Sequence, residues 1–198
     1  MPLSAIALDE VTDPPLRPLP ARAVALLEEV SAPPRLVAHL RAVHDVAAQL
    51  LDVVGVFGLR VDREAVLFGA ATHDIGKALH PAELSGPGSR HEEAGRELLL
   101  ARQVPAGLAR FAGTHASWQS PEAGAEDLLV SLADKIWKNK RVPDLEDLVV
   151  AELSRACRRP LWQVFMELDE ALTRIGEDAG RRLAWQAAHP VFPALPGR

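Results

Sequence analysis

The stretch from Phe68 to Leu84 reads FGAATHDIGKALHPAEL. An apolar run ends in an adjacent His73-Asp74 pair. An ionised carboxylate in such surroundings must be paired, protonated or bound to a cation, because burying it alone is costly. Asp134, in LLVSLADKIW, poses the same problem. The chain carries seven histidines: His39, His44, His73, His80, His91, His115 and His189. Several helices that each supply one His or Asp to a common interior make the usual metal site of a helical bundle. Neutral imidazole and ionised carboxylate suit divalent iron, manganese, cobalt or zinc. With neither Cys nor Met among the donors, copper(I) is disfavoured.

The elements that must position these groups read as helices almost throughout. Pro33-Pro34 opens a helix at its first turn. Leu36, Leu40, Val43, Ala47, Leu50 and Val54 then recur at three and four residues, one apolar stripe that Gly55 and Gly58 end. His39 lies beside this stripe and His44 on its other flank. His39 is the preferred inward ligand and His44 its rival. Asp62 caps the next helix, which runs from Ala65 to about Ile75 with Gly76 as its stop. The segment His80 to Gly88 is a loop. Ser89 with Glu92 three residues on has the form of a capping box. Pro105 starts a short helix to Phe111, and Pro121 starts another through Ile136. Leu145 to Ala156 is helical. Leu161, Phe165, Leu168, Leu172 and Ile175 form the stripe of a further helix, and a last piece fades at Pro190. The fold class is all-α, with roughly seven to nine helices.

Length and composition agree with one globular domain: 198 residues, 48% hydrophobic, 25% charged. A net charge of −5 disfavours long nucleic acids, which need a clustered basic face. A small phosphorylated substrate held by local cations remains open. Cys157 is the single cysteine, so no internal disulfide forms, which fits a reducing compartment. The N-terminus, MPLSAIALDEVTDPP, does not read as a signal peptide. No apolar run approaches the ~20 residues of a membrane helix. A cytoplasmic protein with no membrane partner is the expectation.

The ordered series His39, His73-Asp74, His91, His115 and Asp134 resembles the HD superfamily of metal-dependent phosphohydrolases. His73 to Lys77 has that family's HD-x-G-K form. Arg35, His39 and Val46-Ala47 look like its first motif. "RHEEAGRELL", "GTHASW" and "LADKIW" resemble the segments that give its later histidines and last aspartate. His91 and His115 resemble the subgroup that binds two metals, which includes bacterial symmetrical diadenosine tetraphosphate hydrolases. Arg141 resembles an Arg downstream of the last Asp in that subgroup. The proposed organisation is a Pro-rich lead-in over residues 1–20 and a single HD domain over 21–190. Its metal-site core covers about 33–141 and its C-terminal helices 143–188.

The resemblance implies the metal ligands His39, His73, Asp74, His91, His115 and Asp134. It implies two divalent cations per chain, iron or manganese first, with cobalt, zinc or magnesium as further candidates. The implied reaction is cleavage of a phosphoester or phosphoanhydride, of a nucleotide, by a metal-activated hydroxide. Asp74 and Lys77 are the catalytic residues expected, with Arg35 and Lys77 binding substrate. Lys77 can equally balance the end of its helix, and Arg35 can equally be structural. Trp118 and Trp137 are either walls of the site or stacking surfaces for a base. The alternatives are a mixed-valent diiron oxygenase on the same fold and a non-catalytic nucleotide-sensing module.

Overall fold

The helix opened by Pro33-Pro34 is the axis on which the other elements pack. A computed structural model describes residues 3–192. Among these residues there are nine α-helices and no strand. They are α1 (Ala21–Glu29), α2 (Pro34–Val56), α3 (Arg63–Thr72), α4 (Arg90–Ala101), α5 (Ala106–Thr114), α6 (Ala125–Ile136), α7 (Pro143–Cys157), α8 (Leu161–Glu177) and α9 (Ala179–Ala187). Three short turns join them: a π-helical turn at Ala5–Asp9, and 3₁₀ turns at Ile75–Ala78 and Pro81–Leu84. None of the described helices is long and apolar enough to cross a membrane.

α2 takes Pro34 at its first turn, where a missing N–H leaves nothing unpaired. It is buried nearly all round because α3, α6, α8 and α9 pack against it. Two apolar clusters share it. Leu36, Val37 and Leu40 belong to one, with α1, Phe68, Ile75, Leu99 and Ala109. Val43, Leu50 and Val54 belong to the other, with Leu129, Leu132, Val149, Leu168 and Leu172. α2, α3 and α5 each give residues to both clusters.

Two buried arginines tie the ends of the chain to this frame. Arg41, only 3% exposed, donates to the carbonyls of Ile6 (2.7 Å), Glu10 (3.1 Å), Leu16 (2.8 Å) and Arg17 (3.2 Å). The proline-rich lead-in reads as loose from its composition. It is held instead, because its carbonyls converge on one guanidinium and Ile6, Ala7, Leu16 and Leu19 are buried. Arg182, fully buried, donates to the carbonyls of Trp137 (2.8 Å) and Ile175 (2.5 Å). It thereby ties α9 to the ends of α6 and α8.

Several helix boundaries differ from their sequence-based expectation. Asp62 does cap α3, accepting from the Ala65 N–H at 3.0 Å. α3 stops at Thr72, however, and the next residues tighten into the 3₁₀ turn. α6 begins at Ala125 rather than Pro121, because the Asp127 carboxylate caps it by accepting from the Gly124 N–H (3.2 Å). On α8, Val164, Leu168, Leu172 and Ile175 are buried, whereas Leu161 and Phe165 are exposed. The first turn of that stripe runs past the core.

His44 is buried on α2, and its Nδ1 has no hydrogen-bond partner. Burial pushes its imidazole down from 6.5 to about 4, helped by Arg17 and Arg41 nearby. The unfolded chain therefore binds one more proton than the folded protein between pH 6.5 and about 4. Stability should fall as pH drops through that window, by roughly 3 kcal/mol from this residue. His44→Leu should flatten the slope by about one proton in urea unfolding measured across the window. An unchanged slope would refute the assignment.

Candidate metal centre

The histidine of the HD pair owes its aim to the end of a helix. His73 follows the last residue of α3, and its backbone N–H donates to the Gly69 carbonyl (2.8 Å). A helix end leaves carbonyls without partners. The Ala70 carbonyl takes the His73 Nδ1–H at 3.0 Å, and the Thr72 hydroxyl donates to the Phe68 carbonyl at 2.8 Å. The end of α5 repeats the device. His115 Nδ1 donates to the Ala112 carbonyl (3.1 Å), and the Thr114 hydroxyl shares its one proton between the Arg110 carbonyl (3.1 Å) and Asp127 Oδ1 (2.9 Å). A carbonyl can only accept, so both rings carry a proton on Nδ1, and Nε2 is the lone pair that each offers when neutral. The two rings meet edge to face at 4.9 Å.

Asp74 lies between the two halves of the site. Its Oδ2 is 3.0 Å from His39 Nε2 and 3.6 Å from His73 Nε2. Its Oδ1 is 3.0 Å from His91 Nε2 and 3.5 Å from His115 Nε2. Asp134, from the last turn of α6, puts Oδ1 at 3.5 Å from His73 Nε2 and 3.7 Å from His39 Nε2. The structure thus brings all six expected residues together. His39, His73 and Asp74 form one group, and Asp74, His91 and His115 a second, with Asp74 common to both. His39 faces the cluster, while its rival His44 faces Arg17 and Arg41.

Whether these residues fit a metal is tested by their lone pairs. Asp74 Oδ1 and His91 Nε2 are buried polar atoms with no hydrogen-bond partner, and they lie 3.0 Å apart. His39 Nε2 and His73 Nε2 face each other at 3.4 Å. Donor atoms ~2.0–2.2 Å from a common cation sit ~3.0–3.5 Å apart, which matches these separations. Ring nitrogens and carboxylate oxygens from separate elements converge on one buried space, and this donor set suits divalent ions.

The electrostatics agree. Burial pushes the Asp74 carboxyl up, but His73, His39 and His91 outweigh it and hold it well below the usual carboxylate range. Asp134 is likewise held low by His73 and Lys135 against burial. Burial lowers His39 despite the Asp74 carboxylate, and lowers His115 to about 4. For His91, burial is outweighed by Asp74 and Glu83, and its imidazole moves up. Ionised carboxylates with neutral His39 and His115 are the forms that bind a cation.

The neighbouring expectations resolve as follows. Lys77 Nζ donates to Asp74 Oδ2 at 2.5 Å, and Lys135 Nζ to Asp134 Oδ2 at 2.7 Å. Asp134 thus holds both that lysine and the imidazoles of His73 and His39. Arg35 donates through Nε to the His189 carbonyl and through Nη2 to the Ala187 carbonyl, both at 2.9 Å. It caps the end of α9, so its geometry supports the structural role over the phosphate contact. Arg141 is bound by Glu146 and Asp169, joining the α6–α7 loop to α8. His189 bonds the Trp185 carbonyl and Glu10 and stays outside the cluster, as does His80. Trp137 packs edge to face on His39 at 4.9 Å and is a wall of the site. Trp118 lies 5.5 Å from Lys135 Nζ.

Two residues that position the site escape a reading by periodicity. Ser89 makes no side-chain cap on α4. Glu83, from the preceding turn, does so instead: it accepts from the N–H groups of Arg90 (3.3 Å) and His91 (3.1 Å) and from His91 Nδ1 (2.6 Å). Gly76 is not a helix stop but a point of close approach. A methyl group there would strike the His91 carbonyl and come within 2.6 Å of the Gly95 nitrogen, both backbone atoms that cannot yield. This flush contact of the 3₁₀ turn with α4 sets the spacing between Asp74 and His91. The spaced Gly76 and Gly95 are the signal that was present in the sequence.

Gly76→Ala should lower stability by about 3 kcal/mol in urea unfolding and reduce metal uptake, since overpacking must be relieved by separating the turn from α4. Unchanged stability would show that the contact is not tight. A second measurement separates the rival histidines. In elemental analysis, His39→Ala should lose bound metal, while His44→Ala should retain it. The reverse result would exchange their roles.

No curated protein and no solved structure matches the chain. The HD domain family matches residues 36–153, a span that contains every member of the cluster. With an all-helical fold built around His39, His73-Asp74, His91, His115 and Asp134, the chain belongs to the HD domain family.

Proposed function

We propose that this protein is a metal-dependent phosphohydrolase that cleaves a phosphoester or phosphoanhydride bond, with a nucleotide as the substrate class. One observation carries the reading. Each carboxylate that faces the imidazoles also holds an ammonium group, Lys77 on Asp74 and Lys135 on Asp134. His39, His73, Asp74 and Asp134, and Asp74, His91 and His115, would hold divalent cations, which when bound would supply the Lewis acid that acidifies water and offsets phosphoryl charge. Asp74 serves both groups, so its carboxylate is the residue on which the assembly depends.

Lys77 and Lys135 each keep N–H donors beyond the one given to the carboxylate. Those donors suit non-bridging phosphoryl oxygens, whose charge must be stabilised as the bond breaks. The walls around the cluster are apolar and buried, which strengthens each of these interactions relative to water. A cleft of about 450 Å³ opens beside Trp118, lined also by Gln119, Ser120, Leu128 and Leu148. Iron or manganese is the proposed metal, and cobalt, zinc or magnesium would meet the same nitrogen and oxygen donors.

The test is the purified full chain, loaded with manganese or iron(II), against a panel of nucleotides and simpler phosphoesters. Release of phosphate or a nucleotide product is expected. Asp74→Asn should abolish turnover. Lys77→Ala and Lys135→Ala should each lower kcat by ~10²–10³-fold while metal content is kept. A loaded protein that releases no product from any substrate overturns the reading.

A further inference from the structure

The loop between the 3₁₀ turn of the HD motif and α4 does more than connect them. Its Glu83 side chain is only 9% exposed and makes three hydrogen bonds to the first turn of α4. The shortest, 2.6 Å, joins its Oε2 to His91 Nδ1. The return of the loop closes over the same carboxylate. Gly88 lies at φ +154°, and a methyl group there would come within 2.5 Å of the Glu83 Cδ. The carboxylate is therefore fixed on both sides, by α4 and by the backbone of Gly88.

We propose that Glu83 is the positioning residue of the Asp74, His91 and His115 site, holding His91 so that its Nε2 lone pair is aimed at a cation shared with Asp74. The inference rests on the metal-centre reading above. Its physical basis is the difference between the four histidines. His73 and His115 are oriented by carbonyls of their own helices, three residues back. His39 Nδ1 has no partner and is held by packing against Trp137. His91 sits at the start of a helix rather than its end, where no free carbonyl of its own helix is available to take Nδ1–H. The acceptor must come from outside α4, and Glu83 supplies it. A carboxylate is also the acceptor best suited to a helix N-terminus, where it meets unpaired N–H groups and the positive end of the dipole.

The consequence is that the two groups of ligands do not share one support. His39, His73 and Asp134 stand on α2, α3 and α6, whereas His91 depends on the Pro81–Leu84 turn. Loss of Glu83 should weaken one site and spare the other.

The experiment uses the full chain with Mn²⁺ as probe, read by metal competition and by electron paramagnetic resonance. The wild type should bind a second equivalent and show the signal of a coupled pair. Glu83→Ala should weaken the second equivalent ~10–100-fold and leave the signal of an isolated ion. Glu83→Gln keeps an oxygen that can accept from His91 Nδ1 and should restore most of the second equivalent. That rescue separates orientation of His91 from a general loss of folding. If Glu83→Ala binds both equivalents as the wild type does, or if Glu83→Gln fails as badly as Glu83→Ala while remaining folded, the proposal is overturned. A wild type that binds no Mn²⁺ would instead refute the metal-centre reading itself.

Discussion

The Asp74 carboxylate is the interaction on which the rest of the structure depends. It is buried, ionised and set among four imidazoles, with His39 and His73 on one oxygen and His91 and His115 on the other. Such a group is costly to bury unless its charge is met in place. Lys77 meets part of it. Imidazole nitrogens surround the rest of it, an arrangement that suits divalent cations. The helices from α2 to α6 then share a requirement: each must deliver one donor to within a few ångströms of this residue.

The fold meets that requirement with local devices rather than with long-range ion pairs. α3 and α5 end in the same Thr-His sequence, and both ends place the ring identically: threonine bonds back four residues and histidine three. Asp127 fixes the geometry between α5 and α6, since its Oδ1 accepts from the Thr114 hydroxyl (2.9 Å) and its carboxylate pairs with Arg110. It also caps α6, which carries Asp134 seven residues on. Arg182 holds the other end of α6 through the Trp137 carbonyl. The C-terminal helices therefore bear on the metal centre although they contribute no ligand to it.

What the sequence made legible was the part encoded by residue type within an element. Apolar periodicity marks α2 and sets His39 and His44 on the two flanks of its stripe, and the greasy contexts of Asp74 and Asp134 show that each needs a partner. What it hid was the part that depends on how elements meet. Ser89 and Glu92 carry the form of a capping box, but the cap comes from Glu83, whose proximity depends on the path of an intervening loop. Arg35 shares a helix side with His39, yet its guanidinium is taken by the end of α9, far along the chain. The exposed start of α8 is equally invisible, because periodicity identifies a face without saying where the core ends.

A distinction among the buried polar groups follows from counting donors against acceptors. Arg41 and Arg182 are as deeply buried as the histidines, but they donate to backbone carbonyls, and the result is a tied-down chain. In the cluster, Nε2 atoms and carboxylate oxygens from separate elements converge on one another. His44 is the instructive intermediate: buried with an unpaired ring nitrogen, but alone, beside arginines rather than carboxylates. An isolated orphan atom costs stability and recruits nothing. Several orphans converging from separate helices make a cation the simplest completion, and this convergence is what distinguishes His39 from the histidine five residues further along the same helix.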